Sequence, residues 1–274
     1  MDTSQASAKF PGDDSMSDLI FHDNWVFFIG PVVLLMVAVL ELTYRFGGPL
    51  VQHFETNDEI WNAIQTGLLA LVAFMLGFSF AQAQGRYDVR RQLVIKEANA
   101  IGTTWLRAAQ LPDPLRAEFR RALYRYTEAR LQAYSAPHDF ALFSRRLKES
   151  ERDQEFLWTV TSENLRAHET NLGYSLLMQT LNDTIDDASA QRAALTQHVP
   201  LAAVASTLLL IFIAVFSLGL SFARARARPA VFSMIYIAAL ALVFEMVIDY
   251  DRPQTGMITV SLAPLQTQLE SMHP

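Results

Sequence analysis

Four long apolar runs, set out as two, a gap and two more, constrain this chain more than anything else in it. They cover residues 25–44, 64–81, 201–222 and 230–248, each 18 to 22 residues of mostly Leu, Val, Ile, Phe and Ala. A helix rises about 1.5 Å per residue, so roughly 20 apolar residues match a hydrocarbon layer of about 30 Å. Unpaired backbone groups are not tolerated in lipid, so each run must be helical. The sequence therefore predicts an all-α membrane protein with four transmembrane helices. A water-exposed helical domain is inserted between the second and the third.

The composition agrees. At 51% hydrophobic and 18% charged, the chain is too apolar for a typical soluble domain and too charged to lie wholly in lipid. It has no cysteine, which excludes disulfides, thiolate metal sites and Cys nucleophiles. The net charge of −6 carries no basic nucleic-acid footprint. The first 24 residues lack a basic region ahead of the apolar run, and that run is too long for a secretory signal. Residues 25–44 are accordingly expected as a retained helix, preceded by a flexible, acidic segment with a turn at Pro11-Gly12.

These features divide the chain into a flexible segment 1–24, transmembrane helices one and two over 25–82, and a cytosolic helical domain over 83–199. Transmembrane helices three and four follow over 200–248, then a tail 249–274 that packs on the cytosolic domain. Gly47-Gly48-Pro49 stops helix one, and Trp61 anchors the start of helix two at the interface. Within the domain, Val94, Ala98, Ile101 and Trp105 share one helical face. After a break at Leu111-Pro112-Asp113-Pro114, Leu115, Phe119, Ala122, Tyr126 and Ala129 form a second stripe. Pro137 ends that helix; residues 140–168 read as one or two more, and Leu177, Leu181, Ile185 and Ala188 mark another. No segment alternates like a strand.

Lys and Arg near the helix ends set the topology. Arg86, Arg90, Arg91, Lys96, Arg192 and Arg252 lie on the side of the central domain; Arg45, Arg224, Arg226 and Arg228 lie in shorter loops opposite. The reading favours both termini and the central domain in the cytoplasm.

Helix two carries the unusual pattern. Every fourth residue gives Asn62, Thr66, Ala70, Phe74, Phe78, Gln82 and Arg86. The row is polar, then small, then aromatic, then polar and cationic. A ring of such helices would make a hydrophobic constriction between wetter vestibules, and apolar constrictions gate ions by dewetting. The positive edge of a Phe ring tolerates a partly dehydrated anion. In the alternative reading, Ala70, Phe74 and Phe78 face lipid or pack against other helices, as small residues often do.

Phe74-Met75-Leu76-Gly77-Phe78, followed after seven residues by Arg86-Tyr87, resembles the second transmembrane helix of bestrophin channels. The layout of two spans, a helical domain, two spans and a tail resembles theirs too. More closely, the chain is similar to the bacterial bestrophin-like domain family over roughly residues 25–270. That likeness rests on Gly85-Arg86-Tyr87-Asp88, Arg91-Gln92-Leu93-Val94, Glu97-Ala98-Asn99-Ala100-Ile101-Gly102-Thr103 and Asp249-Tyr250-Asp251-Arg252-Pro253. The resemblance implies a homo-pentamer in a bacterial inner membrane around a central ion pathway, passing mostly small anions such as chloride, although bacterial members can prefer cations. Its neck would be Phe74 and Phe78, with Ala70 a wider outer edge and Gly77 allowing close helix approach. Asn62 and Thr66 would line the outer vestibule, Gln82 and Arg86 the inner one. There are two departures. Bestrophins place a larger aliphatic residue where Ala70 stands. Eukaryotic members carry a dense acidic calcium clasp where this chain has only Asp249 and Asp251 beside Arg252.

Asp183, Asp186 and Asp187 share a helix face and form a candidate cation site, or a solvated face pairing with Arg90 or Arg91. This cluster and the net acidity favour cations, against the anion preference of the Phe edges. Glu41 and Glu245 sit near helix ends, where a polar group reaches the interface. Glu97 and Asn99 either set contacts within the domain or lie exposed. The six histidines, His22, His53, His138, His168, His198 and His273, have no metal spacing. No nucleotide-binding, hydrolase or metalloprotease motif is present, so neither an enzyme nor a cofactor is expected. The expected function is an oligomeric ion channel. The competing one is a non-conducting scaffold or sensor whose cytosolic helices bind a partner. A coupled transporter is weaker, because no broken helix or inverted repeat is visible.

Overall fold

The structure, a computed structural model, describes residues 25–53, 57–136, 139–168, 170–252 and 254–272. The segment 1–24 with its Pro11-Gly12 turn lies outside the described residues, as do Pro137, Pro253, His22, His138 and His273. Helices α1 (Trp25–Phe46), α2 (Gly48–His53) and α3 (Asp58–Arg107) come first, and a 3-10 turn at Ala108–Gln110 ends α3. Then come α4 (Leu115–Tyr134), α5 (Phe140–Ala167), α6 (Leu172–Leu195), α7 (Leu201–Ala225), α8 (Ala230–Asp251) and α9 (Ala263–Ser271). Among the described residues there is no strand.

Helix α1 stops at Phe46, but Gly48 and Pro49 open the short α2 instead of a loop. Proline fits there because a first-turn amide has no helical partner to lose. Residues 140–167 make one helix, not two. Among the described residues four helices are long and apolar enough to cross a membrane, with mean hydropathy from 1.7 to 2.6. Only 17 to 33% of each apolar window is covered by the chain itself, so lipid or further copies must cover the rest. This is a membrane protein.

The chain forms two compact units, residues 1–80 with 199–248, and residues 81–198 with 249–274. In the first, α1 packs closely on α7. A side chain at Gly219 would bring its Cβ within 2.7 Å of Thr43 Cβ, so only glycine fits. Polar pairs stitch the same apolar unit, because a polar group in lipid is best placed where another helix answers it. Thr207 donates its hydroxyl to the Ala203 carbonyl (2.8 Å), so Ser79 donates to Thr207 (3.1 Å). Trp61 Nε1 donates to Ser221 Oγ (2.9 Å), which donates to Gln65 Oε1 (2.9 Å). Arg224 pairs with Asp58 (2.6 Å), and Glu41 bridges Arg45 and Arg228 (2.7 Å each).

In the second unit, Val94, Ala98, Ile101 and Trp105 of α3 meet Phe119, Ala122 and Tyr126 of α4 in one core. Leu157 of α5 joins them, with Tyr174, Leu177 and Leu181 of α6. Val260, Leu265 and Met272 of the tail close it. The core also holds charge. Glu97 is fully buried and accepts Arg130 through both oxygens (2.7 and 3.1 Å). Tyr126 donates to Glu97 (3.1 Å), and Arg130 donates to Gln191 Oε1 (2.7 Å). Burial is the largest influence and works against the Arg130 charge, but Glu97 together with Tyr134 and Tyr126 outweighs it and holds the guanidinium above its ordinary pKa. Of the two residues weighed there, Glu97 sets contacts within the domain and Asn99 is exposed.

Candidate functional site

Helix α3 places the whole predicted row, and its geometry follows from helical phase. Within the first unit, Val72, Leu76 and Ser79 are 1 to 5% exposed and form the face turned to the chain's own helices. Each residue turns a helix by about 100°, so Phe74 and Phe78, two positions on from Val72 and Leu76, point roughly the opposite way. They are 66% and 50% exposed. Their rings stack with centroids 6.3 Å apart and planes 11° from parallel. Asn62, Thr66, Ala70 and Gly77 are exposed as well. A Cβ built on Gly77 would meet nothing within 4 Å. The outward face of α3 therefore carries polar, small and stacked aromatic residues that the other described residues leave exposed.

The row continues along α3 into the second unit. Gln82 and Arg86 are half-buried there and line a cavity of about 200 Å³ with Gly85, Val89, Ala194 and Gln197. Arg90, fully buried on the same helix, donates to the backbone carbonyls of Ala194 (3.0 Å), Asp251 (2.8 Å) and Gln197 (2.7 Å). Its guanidinium lies below its ordinary pKa because of burial; Asp251 opposes that shift and Arg86 adds to it. Sequence reasoning did not single out Arg90 as the clamp on the last turn of α6. The carbonyls it takes are chain-distant and leave no mark on the local pattern.

The acidic face of α6 is not paired with Arg90. Asp183 and Asp186 are exposed, and Asp186 accepts the Asn182 amide (2.8 Å). Asp187 is half-buried, and its carboxyl is pushed above the ordinary range by burial. Lys96 pulls it back, while Glu97, Asp183 and Asp186 push it further up. Among the described residues no three His, Asp or Glu side chains are grouped to hold a metal ion. In the acidic last turn of α8, Asp249 serves the backbone. Asp249 Oδ1 and Oδ2 accept the amides of Met257 (2.7 Å) and Ile258 (2.9 Å), which ties down the tail loop. Asp251 Oδ2 faces His198 Nδ1 at 3.2 Å, and Arg252 is fully buried.

A family model described as bestrophin-like domain matches residues 31–265. Solved structures of a bacterial bestrophin homologue from Klebsiella pneumoniae share the fold. A Trp-to-Ala variant superposes with a TM-score of 0.71 at 16% identity, covering 92% of this chain and 97% of that one. A Leu-to-Thr variant gives 0.67 at 16% identity, with 91% and 97% covered. The structure phased on zinc gives 0.65 at 16% identity, with 91% and 100% covered. Comparison with curated proteins finds no match.

Proposed function

The chain belongs to the bestrophin-like family, and from that premise we propose that it is an oligomeric ion channel of the bacterial inner membrane. Copies of α3 surround a central pathway, five to a ring as the likeness to bestrophins implies. One observation carries this reading. The stacked pair Phe74 and Phe78 lies on the face of α3 that the chain's own helices leave bare. Two stacked aromatic levels in each copy supply an apolar collar, and such collars gate by dewetting. Ala70 widens its outer edge, Gly77 permits close approach of neighbouring helices, and Asn62 and Thr66 wet the outer mouth. Gln82 and Arg86 shape the inner vestibule. Small anions such as chloride are the proposed permeant ions. Both termini and the second unit lie in the cytoplasm. Neither catalysis nor a cofactor is part of this function.

The test is planar-bilayer current in a NaCl gradient, from the wild type and a Phe74→Ala/Phe78→Ala double variant. Removing the collar raises the current, and the reversal potential reports the sign of the ion. Silence from both proteins, after verified reconstitution and across a range of voltages, overturns the channel in favour of a scaffold whose helical domain binds a partner.

A further inference from the structure

Two turns past Phe78, Arg86 presents a positive charge that none of the described residues answers with a hydrogen bond or ion pair. The side chain is half-buried and its Nε is closed off from solvent. A guanidinium carries five N–H donors and stays charged at any physiological pH. Withdrawing its Nε–H from water without an acceptor is costly, so the position favours an acceptor there, best a negatively charged one. Arg90, one turn on, adds a second positive charge; its hydrogen bonds go to three neutral carbonyls, and the Asp251 carboxylate offsets part of that charge. The cavity beside Arg86 adds donors and no carboxylate. Gln82 and Gln197 bring side-chain amides, while Gly85, Val89 and Ala194 bring no charge. At about 200 Å³ it is roomy enough for a small ion with some of its water, since one water occupies roughly 30 Å³.

We infer that Arg86, with Gln82 and Gln197, forms a binding site for a small monovalent anion of halide or nitrate size. The site sits where α3 carries the row beyond its aromatic pair. It holds the ion by one fixed charge and neutral amides, which suits a weakly held, partly hydrated ion better than a multiply charged one. Its role in conduction rests on the channel reading; its existence does not.

Crystals of the full-length protein equilibrated with sodium bromide, measured at the bromine absorption edge, test the site directly. Bromide is expected within about 3.5 Å of the guanidinium and is expected to vanish in Arg86→Gln. In bilayers, Arg86→Gln lowers the anion-over-cation preference about tenfold, the worth of one hydrogen-bonded charge, and Arg86→Lys keeps most of it. Bromide at Arg86 with no current from any protein leaves the site standing and removes the channel. The inference is overturned by three results: no bromide at Arg86 in the wild type, bromide that persists in Arg86→Gln, or a neighbouring copy's carboxylate on the guanidinium. An unchanged reversal potential in a conducting Arg86→Gln overturns the site's role in conduction. If that variant does not fold, the wild-type bromide map decides alone.

Discussion

Glu97 and Arg130 place a full ion pair in the interior of the helical unit, and their energetics turn on one being present for the other. A matched buried pair adds little net stability, but breaking it strands a charge. Glu97→Gln is expected to destabilise the protein by about 3–5 kcal/mol, measured as the shift in thermal or denaturant unfolding. Glu97→Gln/Arg130→Met recovers much of that loss. Two phenols in the same network give a pH signature. Burial, with Glu97 beside it, raises Tyr126 well above its ordinary value of 10.0, and burial pushes Tyr134 up to about 12. Below pH 10 both are protonated whether folded or unfolded. Above it the unfolded chain releases protons that the folded chain keeps, so stability falls as pH rises. Tyr126→Phe is expected to flatten that alkaline decline in a series of melting curves. At this scale the sequence is half legible. Val94, Ala98, Ile101 and Trp105 are buried as their spacing implies. Arg130 is buried too, although it looks like one more cation on a basic helix. Its partner stands 33 positions earlier, and no local period records a pairing at that separation.

Helix α3 is the element in which phase matters most. Four apolar runs announce four helices because lipid allows nothing else, and composition alone conveys that. Which side of α3 faces inward is not in its composition, since apolar residues circle the membrane part almost completely. The structure resolves the phase through Val72, Leu76 and Ser79, leaving Gly77 and the two Phe residues outward. A glycine in a helix interior is less favourable than alanine by about 1 kcal/mol, and among the described residues a Cβ at Gly77 would meet nothing within 4 Å. A neighbouring copy is the expected reason for glycine there. Gly77→Leu is expected to keep the helical content seen by circular dichroism while weakening the oligomer in light scattering. An oligomer of unchanged mass would instead turn this face of α3 toward lipid.

The molecule as a whole is two units, each made from separated stretches of sequence. Its orientation can be read cleanly because the chain has no cysteine of its own. Single variants at the exposed positions Ser135→Cys and Ala227→Cys are expected to label from opposite faces of the membrane. A membrane-impermeant maleimide should reach Ala227→Cys in intact spheroplasts and Ser135→Cys only after lysis. Labelling in the reverse order would put the helical unit outside. The division into units also bears on how the protein is made. Val260, Leu265 and Met272 complete the core that α3 to α6 begin, and Asp249 ties down the loop between them. A ribosome that has finished α6 has therefore made most of that unit but cannot yet close it. Two membrane spans must be synthesised and inserted first, so the half-built unit waits with its apolar core open. Closure of that core therefore follows the synthesis of both later spans, and a chain halted before the tail keeps apolar surface exposed.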